Sequence, residues 1–189
     1  MKKLIIILFF LLVTFACQPI EKIDQIVFDN NQFSRFNIQT NYIEINEVFE
    51  KKISEPYIGH TLKISPSQRI INWVNDNFKA IGNENSFNVT ILDASITQTQ
   101  FENKEAKNFD EKNNYEYKLF YLVEFNLYDD SNKLLASTLV ETSRSTTSGL
   151  YISIQEKESI IEDLIYQSLI DISNESQELL KKYMSNYIL

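Results

Sequence analysis

Seven apolar side chains at every second position, Tyr115, Tyr117, Leu119, Tyr121, Val123, Phe125 and Leu127, constrain this chain more than any other feature. A period of two belongs to a β-strand, whose successive side chains point to opposite faces. The stretch therefore reads as a long strand with one side in a core. Asp129-Asp130-Ser131-Asn132-Lys133 has the composition of a turn. Leu134 to Ser143 returns as a second strand, so residues 115–143 form a hairpin. Residues 144–149, rich in Ser and Thr, read as a connection.

The other elements are placed by caps and periodicity. Ser65, Pro66 and Gln68 make a capping box with proline at the first helical position. Ile70, Ile71, Val74, Phe78 and Ile81 follow at helical spacing, and Gly82 supplies a stop, which predicts a helix near 66–81. Ser153 with Glu156 caps a second helix, whose stripe is Ile161, Leu164, Ile165, Leu169 and Ile172. Leu179, Leu180 and Tyr183 extend it after a polar stretch, where Ser173-Asn174 is expected to kink or split the helix. Ile43-Glu44-Ile45-Asn46 alternates as a strand does. Ser86 to Thr97 is a strand whose apolar phase switches after Ile91, which predicts a bulge at Ile91-Leu92. The order is β-α-β-β-β-α. The fold class is α+β: an antiparallel sheet of about four strands with two helices on one face, which buries both helical stripes at once. With 43% hydrophobic and 13% aromatic residues, the chain has material for one real core.

The N-terminus reads as an address. Lys2 and Lys3 precede an apolar run from Leu4 to Val13, and Thr14-Phe15-Ala16 leads into Cys17, the sole cysteine. This is the layout of a secretory signal, and 13 residues from Leu4 to Ala16 fall short of a membrane span. Ala16-Cys17 resembles the end of a bacterial lipobox, although Thr14 and Phe15 depart from its usual form. The resemblance implies cleavage before Cys17, a diacylglycerol thioether on its sulfur and N-acylation. Two or three acyl chains anchor a protein stably. Gln18, rather than Asp, after the cysteine implies the outer membrane. Residues 1–16 are then a lipoprotein signal peptide, 17–35 a lipid anchor and tether, and 36–189 a single periplasmic α+β domain.

Charge and composition exclude several classes of function. Without the leader's two lysines the chain keeps 16 basic and 26 acidic side chains, a net of −10. A chain this acidic, with no basic cluster, is no nucleic-acid binder, and lipid rather than charge must hold it to a membrane. One Cys and one His leave no metal site of the usual kinds, and no cofactor motif is present. Any Ser-His-Asp arrangement would have to use His60, in the loop Ser54 to His60. A periplasmic hydrolase using His60 with a nearby acid is the alternative reading. The acid pairs Asp129-Asp130, Glu102 with Glu105 and Asp110-Glu111 sit in turn-like surroundings and read as solubilising charge. Asp93, at the expected bulge, reads as bonding backbone donors there.

The even-numbered face of the hairpin is the candidate binding surface. Phe120, Leu122 and Tyr128 point away from the core side, and Leu135 and Leu139 can join them. Either residues 20–50 fold back over this face or it is open to a partner or ligand.

Pro56-Tyr57-Ile58-Gly59-His60, Ser65-Pro66, Trp73, Lys79-Ala80-Ile81-Gly82 and Asp93-Ala94-Ser95 resemble a group of alphaproteobacterial lipoproteins, over roughly residues 50–185. No activity goes with those motifs. In layout alone the chain is similar to the auxiliary lipoproteins of ABC-type transport systems, which implies a non-enzymatic accessory of outer-envelope lipid transport or assembly. The expectation is a non-catalytic envelope lipoprotein on the periplasmic face of the outer membrane, binding an envelope protein or lipid.

Overall fold

The computed structural model describes residues 26–104, 106–107 and 111–189. The leader, Cys17, Glu105 and Asp110 lie outside these described residues. The elements are β1 (Phe36–Ile38), β2 (Tyr42–Glu47), α1 (Pro66–Asn77), β3 (Phe78–Ala80), β4 (Ser86–Glu102), β5 (Asn113–Tyr128), β6 (Leu134–Gly149) and α2 (Ile154–Tyr183). The main sheet runs β2-β4-β5-β6. It is α+β and largely antiparallel, with β2 added parallel to β4. A separate parallel pair, β1 and β3, closes one corner.

The odd-numbered face of β5 is the centre of the core. Tyr117 to Leu127 at odd positions are all buried, and Ile91, Val123 and Val140 form a fully buried row across three strands. Both helices cover this face. Tyr121 donates a hydrogen bond from its phenol to the carbonyl of Pro66 in α1 at 3.3 Å. Arg144, on the same face of β6, forms a fork with Asp171 of α2 at 2.8 and 2.9 Å. Hydrogen bonding to Asp171 holds the Arg144 guanidinium pKa above its ordinary value.

The phase switch in β4 is a bulge: the pairing with β5 shifts register between Ile91 and Asp93. Before it the core residues are Phe87, Val89 and Ile91; after it they are Ala94 and Ile96. Turn 129–133 is held by Asp129, whose Oδ1 accepts from the amides of Ser131 (2.8 Å) and Lys133 (2.9 Å). Asn132 there takes the left-handed conformation, with φ of 60°, which Asn tolerates.

Four sequence expectations are corrected. First, α1 stops at Asn77 rather than near Ile81, and Phe78–Ala80 becomes β3. Phe78 keeps its place in the core, stacked on Phe36 at 4.4 Å between ring centroids, so apolar spacing alone reads through the end of the helix. Second, Gly82 is not a helix stop. It lies against the β1–β2 corner, where its amide donates to the carbonyl of Thr40 at 3.0 Å. A Cβ there would stand 2.8 Å from the Gln39 carbonyl carbon. Third, residues 144–149 are not a connection but the end of β6, paired from Leu119↔Arg144 to Asn114↔Gly149. Thr and Ser satisfy a half-exposed strand as well as a loop, so composition did not separate the two. Fourth, Ser173-Asn174 does not break α2. The Ser173 hydroxyl points out of the helix and accepts from the amide of Ser34 at 3.0 Å.

Residues 26–35 pack on the helix layer. Phe28 and Phe33 meet Tyr166 of α2 at 5.0 and 6.0 Å, and Arg69 of α1 lies over Phe28 at 3.9 Å.

Candidate functional site

Four stretches close on one cavity of about 360 Å³: Phe49 to Lys52 after β2, Tyr57, Gly59 and His60 of the loop, Leu62 to Gln68 at the start of α1, and Asp93 to Ile96 of β4. The sheet edge explains why it exists. β2 follows β4 only as far as Ile91, whose carbonyl accepts from Val48 at 3.1 Å. The same edge is taken up again by the loop. Ile58 donates to the Ile96 carbonyl at 3.0 Å, and Gln98 donates to the Pro56 carbonyl at 2.8 Å. Tyr57 bridges Thr97 between them. Residues 92–95 of β4 thus have no strand beside them on that edge among the described residues, and the cavity occupies the gap.

Its walls are mainly apolar, formed by Phe49, Leu62, Ile64, Pro66, Ala94 and Ile96. Asp93, which the bulge sets opposite Leu122 in the register, also lines this space. Asp93 Oδ1 is buried and has no hydrogen-bond partner. This corrects the expectation that Asp93 bonds backbone donors at the bulge. The mouth carries Lys51, Lys52 and Lys63 against Glu50. Lys51 pairs with Glu47 at 3.0 Å. Lys52 donates to the Tyr57 hydroxyl at 2.9 Å and lies over that ring. The Tyr57 hydrogen bond holds the Lys52 ammonium pKa above its ordinary value, and the charge of Asp93 adds to this. At α1, Ser65 Oγ accepts from the Gln68 amide at 3.2 Å and meets Ser67 Oγ at 3.0 Å.

His60 stands on the rim of this cavity, in an exposed 3-10 turn over Gly59–Thr61. Among the described residues no acid pairs with it. Asp129 serves the turn, and Asp130 accepts from the Asn85 amide at 2.9 Å. Glu111 accepts from the Leu150 amide at 2.7 Å. No group of three or more His, Cys, Asp and Glu among the described residues could hold a metal ion.

The even-numbered hairpin residues lie on the other side of the sheet, away from both helices. Phe120 sits between Ser95 and Ser143, and Leu122 between Asp93 and Glu141. Leu139 faces Glu124, diagonal to Leu122, and is about half exposed. Tyr128 pairs with Leu134 at the turn end, where a second register shift leaves Leu135 as the extra residue. Leu134, which the sequence reading omitted, is also half exposed. Between the two apolar ends stand Glu124 and Asn126, bonded to each other at 2.8 Å. The face is therefore two apolar clusters with a polar waist. Residues 26–35 pack on the helix layer, away from it.

The cavity escaped sequence reasoning. Its lining falls in four stretches between Phe49 and Ile96; three of them hold residues that carry the family resemblance, at Tyr57 to His60, Ser65-Pro66 and Asp93-Ala94-Ser95, but no activity goes with those residues. The signal that was present is the phase switch in β4, which singles out Asp93.

No protein-family model matches the chain, and no curated protein matches it significantly. Three solved structures are similar to it in outline. The minor lipoprotein from Acinetobacter baumannii shares 9% identity with a TM-score of 0.40, over 79% of this chain and 94% of that one. Rare lipoprotein B from Shewanella oneidensis shares 12% with a TM-score of 0.37, over 75% and 96%. A chain assigned to the lipoproteins from Caulobacter crescentus shares 9% with a TM-score of 0.40, over 76% and 90%. Likeness at this level carries no argument about the function or partners of this chain.

Proposed function

We propose that this protein is a non-catalytic envelope lipoprotein, anchored through Cys17 at the periplasmic face of the outer membrane, with the outer face of its sheet docking an envelope protein or lipid. One observation carries the reading: the sole cysteine follows directly on a short apolar leader, at the position a lipidated residue takes. The two-sided hairpin supports the binding half of it. Leu134, Leu135 and Leu139 stay 49%, 39% and 49% exposed on a strand whose other side is core. An accessory role in outer-envelope lipid transport or assembly is the finer form of the proposal.

The first half is tested by mass spectrometry of the N-terminal peptide from native membranes. The expected species begins at Cys17 and carries diacylglycerol and a third acyl chain; an unmodified Cys17 overturns it. The second half is tested by crosslinked capture from native membranes with Leu122→Glu. A folded variant that loses a reproducible partner supports the docking face. A variant that unfolds shows that the face is core and removes it.

A further inference from the structure

The gap in the edge of β4 is more than an apolar hole, because main-chain groups face it. Ile96 C=O and Gln98 N–H point toward the Pro56–Ile58 segment. A strand repeats its hydrogen-bonding direction every second residue, so Ala94 N–H and C=O point the same way, into the gap. Ala94 is 4% exposed, and neither group finds a main-chain partner on that edge among the described residues. Buried main-chain groups are almost always paired. Asp93 Oδ1, also buried and without a partner, adds an acceptor beside them.

We propose that this cavity binds the carboxy-terminal end of a peptide with an apolar last side chain, which enters as a short strand and completes the sheet edge between Val48 and Pro56. An added strand draws affinity from main-chain hydrogen bonds and selectivity from pockets for alternate side chains. Ala94 supplies one donor and one acceptor, and Asp93 accepts a further amide. Phe49, Leu62, Ile64 and Ile96 surround the side chain. The length of the gap selects a chain end. From Ile91 to Ile96 the edge spans about 16 Å, at about 3.3 Å per residue, and both ends are occupied. A segment of roughly three residues fits, and a continuing strand has nowhere to run. The sign of the end follows from charge. Lys51 pairs with Glu47 and Lys52 donates to the Tyr57 hydroxyl, which leaves Lys63 as the lysine on the lining with no ion pair or side-chain hydrogen bond among the described residues. A terminal carboxylate at the mouth can pair with Lys63.

The test is amide-resolved NMR of the purified full-length protein in detergent, titrated with a pool of acetylated tripeptides ending in Leu, Ile, Val or Phe as free acids. The proposal expects saturable shifts centred on the Ala94 and Ile96 amides, with Kd below ~1 mM, and slowed exchange of the Ala94 amide. Lys63→Glu, at an exposed position, is expected to weaken binding about three- to fivefold, as an exposed ion pair does. Leu62→Arg, which fills the cavity, is expected to abolish it. Shifts confined to the outer sheet face, or none at ~1 mM peptide, overturn the proposal. Equal binding of the amidated pool overturns the carboxylate.

Discussion

Leu139 and Val140 are neighbours in β6 with opposite fates, and substituting each by lysine separates the two faces of the sheet. Leu139 is 49% exposed, whereas Val140 is fully buried beside Val123. Full burial of a leucine is worth about 1.5–3 kcal/mol, and roughly half of that is realised at Leu139. Leu139→Lys keeps much of its aliphatic stem on the sheet and sets an ammonium opposite Glu124, a cross-strand pair worth some tenths of a kcal/mol. The net loss is expected to be about 1 kcal/mol, a fall in Tm of roughly 2–4 °C for a chain of this size. Val140→Lys places an unpaired charge in the core, at a cost of several kcal/mol, a large part of the ~5–15 kcal/mol that holds a domain together. Urea denaturation followed by circular dichroism measures both. Comparable losses for the two variants would refute the assignment of an open outer face and the docking surface built on it.

Gly82→Ala is expected to cost ~1–3 kcal/mol as an overpacking change, because the new Cβ would meet the backbone of Gln39 and Thr40 at 2.8 and 2.9 Å; an unchanged urea midpoint would contradict that close approach. Phe78→Ala is expected to cost ~3–5 kcal/mol, since Phe78 is 5% exposed and packs on Phe36, Trp73, Phe87 and Phe125; a loss under ~1 kcal/mol would return it to a frayed helix end rather than a core strand. Burial raises the Tyr121 phenol pKa above its ordinary value of 10.0. The unfolded chain then loses this proton first as pH rises, so its stabilisation is complete below the unfolded pKa and declines above about pH 10, by up to ~1.4 kcal/mol per unit. Tyr121→Phe is expected to flatten that decline relative to the parent in urea titrations between neutral and alkaline pH, and parallel curves would refute it.

Much of this fold is legible in the sequence because two periodicities are strong and local. The odd positions of 115–127 carry the β5 core face without a break, and the capping serines at 65 and 153 start both helices where their hydroxyls accept from Gln68 and Glu156. The bulge is legible for the same reason, since a strand with a core on one side cannot change phase without inserting a residue. What fails is the reading of ends. Phe78 is buried as a helical residue would be, but its amide closes α1 on Val74 and its ring turns to Phe36, a partner supplied by β1 some 40 residues earlier. The end of β6 is set by pairing with Asn114 to Leu119, which no property of Ser and Thr announces.

The cavity is a harder case, because it is made by an interruption. Each of its walls is ordinary in sequence: a strand that stops, a loop with a proline, a capped helix, a bulge. Only their register makes a site, through a parallel strand that leaves β4 at Ile91 and an antiparallel segment that rejoins it at Ile96. Had the bulge not turned the strand by one residue, Asp93 would lie in the core phase that Ile91 begins, and Ala94 would direct its amide elsewhere. The same inserted residue thus sets two features at once. It allows one strand to bury both halves of its apolar set, and it leaves a carboxylate and a main-chain pair facing an unfilled edge. A chain that needed only the first could have covered the second by extending β2, and the loop from Phe49 to Ser54 has the length to do so. It lines the cavity with Phe49 and three charged side chains instead.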